Sequence, residues 1–142
     1  MPYFKGQKEM LDIQRVFFDK VASDPEIGPK LRASNLIIRF VSNDPAGVVT
    51  IDCRGAAGEG KHFATTFGES DLKPDIILTT SADLGHEFWL GRANIVSALF
   101  SGKAKATGDV TAAMKILPAL KPISDIYKQM LKSLGRQDLL PK

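Results

Sequence analysis

"LGRANIVSALFSGKAKATGDVTAAMKILPAL", residues Leu90 to Leu120, decides the fold, because the hydrophobic period changes twice within it. Asn94 precedes Ile95, Ala98 and Leu99, a one-sided apolar spacing. It predicts a short helix capped by the asparagine and stopped at Gly102. "KAKATG" then alternates Lys103, Lys105 and Thr107 with Ala104, Ala106 and Gly108. That two-residue period predicts a strand with small residues on one side, at a sheet edge where lysines discourage aggregation. Asp109 caps a second helix carrying Ala112, Ala113, Met114 and Leu117 until Pro118.

Working outward, the residues before this stretch extend the same logic. "NLIIRFV", "GVVTIDC", "KHFATTF" and "DIILTT" are short β-branched and aromatic segments separated by "SNDPAG", "RGAAGEG" and "GESDLKP", all turn compositions. Four strands with short links predict an antiparallel meander. Thr80 or Ser81 caps a helix with Leu84 and Phe88 on one face, ending near Gly91. At the chain start, Met10, Ile13, Phe17 and Val21 recur at helical spacing over Gln7 to Val21. "SDPEIGPKL" then allows at most a helical turn, given Pro25 and Pro29. At the other end Pro122 opens a helix with Ile123, Ile126, Met130 and Leu134 as its stripe, widened by Tyr127 and Leu131. The order is helix, four strands, two helices, one strand, two helices: an α+β layer with the helices gathered on one sheet face.

The 142 residues fit one domain, taken as 1–142, and 44% hydrophobic with 25% charged side chains excludes a disordered chain. The net charge of +3 is spread too thinly for a nucleic-acid reader. Lys103, Lys105, Lys115, Lys121, Lys128 and Lys132 tilt the C-terminal third positive, which suits a transient contact with an anionic membrane surface or an acidic partner. The lone cysteine, Cys53, cannot form an intramolecular disulfide and points to a reducing compartment. "MPYFKGQKEM" has no apolar leader core and "DLLPK" is no peroxisomal tripeptide, so a cytoplasmic protein is expected.

Reactive chemistry is scarce. "GAAGEGKH", Gly55 to His62, imitates a phosphate loop, but His62 replaces the magnesium-binding hydroxyl and a strand follows where a helix is needed; it reads as a turn. "HEFWL" has Leu90 where a zinc protease needs its second histidine, and His62 and His86 lie in different elements, so neither metal nor cofactor is expected. Cys53 shares a strand face with Val49 and Ile51 and reads as a small buried hydrophobe. Asp83 and Glu87 stand at a helix start on a solvated face, and Asp109 reads as a cap. No matched acid, base and nucleophile emerges, so the protein is not expected to be an enzyme.

Apolar side chains are abundant instead. Phe88–Trp89 and Leu99–Phe100 are adjacent pairs on short helices, and adjacent residues point about 100° apart. A short helix docked on a sheet does not easily bury both members, so one of each pair lines a cavity, meets a partner, or simply widens the core stripe.

Asp75 to Leu120 resembles the sterol carrier protein type 2 (SCP2) domain. The likeness lies in "PDIILTTSADLGHEFWLG", Asn94, "SALFSGKAKATGD" and "AAMKILPAL", with Gly102-Lys103, Lys105 and Gly108-Asp109 in the "GK.K..GD" places. The element order extends it over Gln7 to Leu134. This resemblance implies a five-stranded, mainly antiparallel sheet covered on one face by helices, with an apolar tunnel between the two layers. It implies non-catalytic binding and transfer of a hydrophobic small molecule: fatty acid, fatty acyl-CoA, phospholipid or sterol. Carried over by position, the ligand-binding residues are Leu78, Leu84, Phe88, Trp89, Ile95, Leu99, Phe100, Met114, Leu117, Ile126 and Met130. Pro118 and Pro122 depart from the smoother helix of that family and are expected to alter the tunnel mouth. The alternative is an accessory module of an assembly handling a prenyl-quinone or another lipid.

Overall fold

The computed structural model describes residues 3–55, 58 and 60–141. Five strands form one sheet: β1 (Ile37–Asn43), β2 (Gly47–Asp52), β3 (Ala64–Phe67), β4 (Ile76–Ser81) and β5 (Lys105–Gly108). Their spatial order is β3-β2-β1-β4-β5, with β5 at an edge as its lysines suggested. Only the first three strands make the expected meander. β4 returns beside β1 and runs parallel to it, while the other pairings are antiparallel. The reason is visible in the 68–75 link. It crosses the outer sheet face, where the Leu72 carbonyl accepts from Arg39 Nη2 at 2.9 Å, and delivers Asp75 to the start of β1. There the Asp75 carboxylate accepts from the Ile37 N–H at 2.8 Å, and the Asp75 N–H donates to the Ile37 carbonyl at 2.8 Å.

Of the turn-like stretch Gly55 to His62, Ala56, Ala57 and Glu59 lie outside the described residues. Strand β3 follows it, antiparallel to β2, so no helix opens there to cradle a phosphate.

Register places Val49, Phe40, Leu78 and Ala106 in one row and Ile51, Ile38 and Ile76 in the next. Strand alternation puts both rows on one face. Onto it pack α1 (Gln7–Ser23), α3 (Ala82–Trp89), α4 (Ile95–Ser101) and α5 (Val110–Ile116), which runs into a 3₁₀ turn, Leu117–Leu120. The α1 stripe is the expected one, with Phe18 and Ala22 added. α2 (Ile27–Ala33) is longer than the single turn expected. Pro29 is its third residue, where no intrahelical N–H is required, and the Asp24 carboxylate accepts from the N–H groups of Glu26 and Ile27.

The last helix, α6 (Ile123–Ser133), buries Ile123, Tyr127, Met130 and Leu131. Leu134, assigned to its stripe, is exposed: α6 ends at Ser133, and Leu134 is the cap residue beyond its last turn. α6 packs on α1 and α3 around an aromatic cluster in which Phe17 meets Tyr127 at 4.8 Å and Trp89 at 5.0 Å, and Phe18 meets Phe40 at 5.7 Å.

The "GK.K..GD" run is explained by backbone geometry. Gly102 closes α4 at φ +80°, and the Asp109 carboxylate accepts from the Ala112 N–H to cap α5. Gly108, at φ +101°, presses against the neighbouring strand so closely that a Cβ would lie 2.2 Å from the Asp75 carbonyl oxygen. Gly108→Ala is therefore expected to destabilise the fold by at least about 2 kcal/mol. Gly102→Ala, with open space around it, should cost only about 1 kcal/mol of αL strain. Urea unfolding of both variants checks the order.

Candidate functional site

Between the sheet and the later helices lies an apolar cavity of ≈ 70 Å³. Its floor is Ile38 and Phe40 from β1, Ile76 and Leu78 from β4, and Ala106 from β5. Phe88 and Trp89 of α3 and Ile95 and Leu99 of α4 form one wall. The roof is Val110, Ala113, Met114 and Ile116 of α5 with Leu117 and Leu120 of the 3₁₀ turn. No ionisable side chain lines it.

Of the residues assigned from sequence, the fold brings Leu78, Phe88, Trp89, Ile95, Leu99, Met114 and Leu117 together around this space. The other four lie elsewhere. Leu84 packs beside it, on the small cluster of Ile95, Ala98 and Ala104. Ile126 borders the main core and Met130 is inside it, because α6 sits on α1 and α3 rather than over the cavity. Phe100 stands 89% exposed, on the outer side of α4. Of the adjacent pairs, Leu99 turns inward while Phe100 turns out, whereas Phe88 and Trp89 both line the cavity and Trp89 also reaches the aromatic cluster.

Of the floor, only Leu78 was assigned from sequence. Ile38, Phe40 and Ile76 alternate with outward-facing residues in "NLIIRFV" and "DIILTT", a signal that was present. Bringing the two strands side by side required the β1–β4 pairing, which the sequence did not announce.

Two smaller features border the cavity. An open groove between the α3–α4 loop and the 3₁₀ turn shares Phe88, Ile95, Leu117 and Leu120 with it and carries Val96 and Lys121 at its rim. On the opposite side a space of ≈ 30 Å³ shares Phe40, Leu78, Phe88, Trp89 and Ile95, and is lined further by Gln14, Ser42, Thr80 and His86. The buried Gln14 Oε1 there has no protein hydrogen-bond partner.

The buried reactive groups hold structure together. His86 Nε2 donates to the Leu139 carbonyl at 2.8 Å, which leaves Nδ1 to accept from the Tyr127 hydroxyl at 2.6 Å. Desolvation holds the imidazole below its ordinary range, partly offset by the Leu139 bond, so it is neutral at pH 7. Cys53 is fully buried and desolvation pushes its thiol up to about 12, the wrong direction for a nucleophile. Asp83 accepts from the Tyr3 N–H, and Glu87 from the Tyr3 hydroxyl. Among the described residues no group of three or more His, Cys, Asp or Glu side chains is placed to hold a metal ion, and no helix is long and apolar enough to cross a membrane.

The profile of the SCP-2 sterol transfer family matches residues 17–121. No curated protein matches the sequence. The solution structure of sterol carrier protein domain 2 of Helicoverpa armigera superposes with TM-score 0.63 at 22% identity, covering 82% of this chain and 88% of that one. A UbiJ-SCP2 ubiquinone synthesis protein superposes with TM-score 0.55 at 14% identity, covering 91% and 97%. The sec-alkylsulfatase Pisa1 from Pseudomonas sp. superposes with TM-score 0.53 at 16% identity over 70% of this chain, but only 15% of its own length is involved. The five-stranded, mostly antiparallel α+β fold is common ground with the SCP2 structures.

The buried histidine generates a pH signature. Its depressed pKa means that the unfolded chain takes up a proton before the folded one does. Stability is therefore retained above the ordinary histidine range and lost as pH falls below about 6.5. Comparing Tm between pH 7.5 and 5 for the natural protein and His86→Gln should show a steeper acid-side fall in the former, even if the variant starts lower.

Proposed function

The chain belongs to the SCP-2 sterol transfer family, and on that footing we propose that it binds and transfers hydrophobic ligands without catalysis. The ligand class is fatty acid, fatty acyl-CoA, phospholipid or sterol, held between the sheet and the α4–α5 side, in a cytoplasmic single-domain carrier of residues 1–142. The observation that carries this reading is the wholly apolar lining of a cavity whose roof is loosely seated. Neither α5 nor the 3₁₀ turn has a fully buried residue, whereas α6 has four.

Size makes that looseness matter. Ligand sites occupy about 300–1,000 Å³, so a cavity of ≈ 70 Å³ is the starting point of a pocket. In this proposal, α5 and the 3₁₀ turn swing outward as a ligand enters and its alkyl carbons replace their contacts with the sheet. Each buried methylene contributes about 0.8 kcal/mol to that exchange. Met114 in the roof is an adaptable packer for chains of different shape. The interruption at Pro118 and Pro122 separates this arm from α6, so it is free to move while the core helix stays seated.

The likeness to the UbiJ-SCP2 ubiquinone synthesis protein over nearly the full length of both chains favours a second reading: an accessory module that presents a prenyl-quinone or related lipid to a partner. A monomer in analytical ultracentrifugation that retains lipid and captures no partner would reject it.

The carrier reading is tested by native mass spectrometry after incubation with mixed lipid, and by saturable uptake of a fluorescent fatty acid. Leu99→Asp and Ala113→Trp are expected to lower uptake at least about tenfold, a charge or bulk placed in the lining. Lys103→Ala should stay within about twofold of the natural protein, since screened surface charges contribute little. Equal losses in Leu99→Asp and Lys103→Ala would remove the cavity from the explanation, and bare protein throughout would end the carrier reading.

A further inference from the structure

We propose that the outward face of α4, centred on Phe100, is a docking surface for an anionic phospholipid bilayer. This rests on the carrier reading only for its purpose, because the docking itself needs no ligand in the cavity. Phe100 is 89% exposed, against 41% and 37% for Leu134 and Val96, the other exposed large hydrophobic residues among those described. Val96 lies one helical turn before Phe100 on the same side of α4, so the two form one apolar ridge. Nothing in the fold covers it: the inward side of the same helix is already used by Ile95, Ala98 and Leu99.

Charge says what kind of partner fits. From Phe88 to Ser124 the chain carries Arg92, Lys103, Lys105, Lys115 and Lys121 against Asp109 alone. That is a net +4 in a chain whose total is +3, so everything else sums to −1. Arg92 lies 3.7 Å from Glu87, but among the described residues none of the four lysines has an acidic partner within 4.0 Å. Lys103 follows Phe100 by three residues, and Lys121 shares the groove rim with Val96. An exposed aromatic ridge flanked by the unpaired Lys103 and Lys121 matches the interface of a bilayer with acidic head groups: the ring enters the acyl boundary and the ammonium groups stay with the phosphates. A protein partner would leave those lysines needing a matched acidic surface around a ridge of only two apolar side chains, too small for a stable hydrophobic interface.

The position gives the contact a use. α4 is at once the wall of the cavity and the carrier of this ridge, and the groove at its N-terminal end borders the cavity at Ile95, Leu117 and Leu120. A bilayer seated on Phe100 and Val96 faces that groove, so a ligand passes between membrane and cavity without crossing water.

Vesicle flotation tests the assignment, with phosphatidylcholine vesicles containing about a third phosphatidylglycerol compared with phosphatidylcholine alone. Binding should favour the anionic vesicles by about tenfold or more and weaken at high salt. Phe100→Ser, and separately Lys103→Glu with Lys121→Glu, should each reduce it by about tenfold. Leu134→Ser, which removes an exposed leucine that is not part of α4, should leave it unchanged. Equal binding to neutral vesicles, no effect of Phe100→Ser, or an equal loss in Leu134→Ser would each overturn the proposal. So would a dimer in ultracentrifugation that Phe100→Ser dissolves, since the face would then belong to a second copy. Uptake of the fluorescent fatty acid from solution, measured in parallel, separates the two ideas. Uptake without flotation defeats the docking face alone, whereas flotation without uptake defeats the carrier reading alone.

Discussion

Three hydrogen-bonding groups of one residue tie the sheet together. The Asp75 carboxylate and N–H bind the two backbone groups of Ile37, and its carbonyl accepts from the Asp109 N–H at 2.8 Å. Those bonds set β4 parallel to β1 on one side and bring β5 to its other side. The Gly108 backbone fits against the same carbonyl because it has no Cβ. Once the three strands are locked in that register, Ile38, Phe40, Ile76, Leu78 and Ala106 lie in adjoining rows. The cavity floor is a consequence of the junction. So is the sequence motif, whose glycines and aspartate serve turns, caps and close approach.

The layer above that floor is unequal. On one side α1, α3 and α6 meet in a dense aromatic cluster of Phe17, Phe18, Phe40, Trp89 and Tyr127, and His86 ties α3 to α6 and to the Leu139 carbonyl. Interiors packed this way yield little, because every displaced side chain forfeits many contacts at once. On the other side α5 and the 3₁₀ turn rest on the sheet through half-buried residues alone. Local opening draws on regions with few buried apolar contacts. The division gives one small fold a firmly packed frame beside a more loosely seated arm. Trp89 marks the seam, with its ring against Phe17 at 5.0 Å and a place in the cavity wall.

The residues that carry reactive groups elsewhere in biology are here absorbed by the frame. Cys53 is a desolvated thiol in the core, His86 a neutral hydrogen-bond bridge, and Asp109 a helix cap. Burial raises the Cys53 thiol and lowers the His86 imidazole, so each is held in its neutral form. What is left unspent is apolar surface inside and an aromatic-tipped surface outside, both on α4, with Lys103 following the outer one. A helix of seven residues with Ile95, Ala98 and Leu99 facing in and Val96 and Phe100 facing out cannot change its inner contacts without moving its outer face.

The sequence by itself determined what depends on local periodicity and backbone chemistry. Two-residue alternation placed the strands, 3.6-residue recurrence placed the helices, and Asn94, Gly102 and Asp109 marked their ends, because caps and φ preferences act within a few residues. Seven of the residues around the cavity were named through the resemblance to the SCP2 domain, carried over by position. Tertiary structure alone decided which inward sides meet. The parallel return of β4, the seating of α6 on α1 instead of over the cavity, and the outward turn of Phe100 all follow from contacts between segments far apart in the chain. Periodicity reports that a side chain avoids water and is silent about which neighbour excludes it.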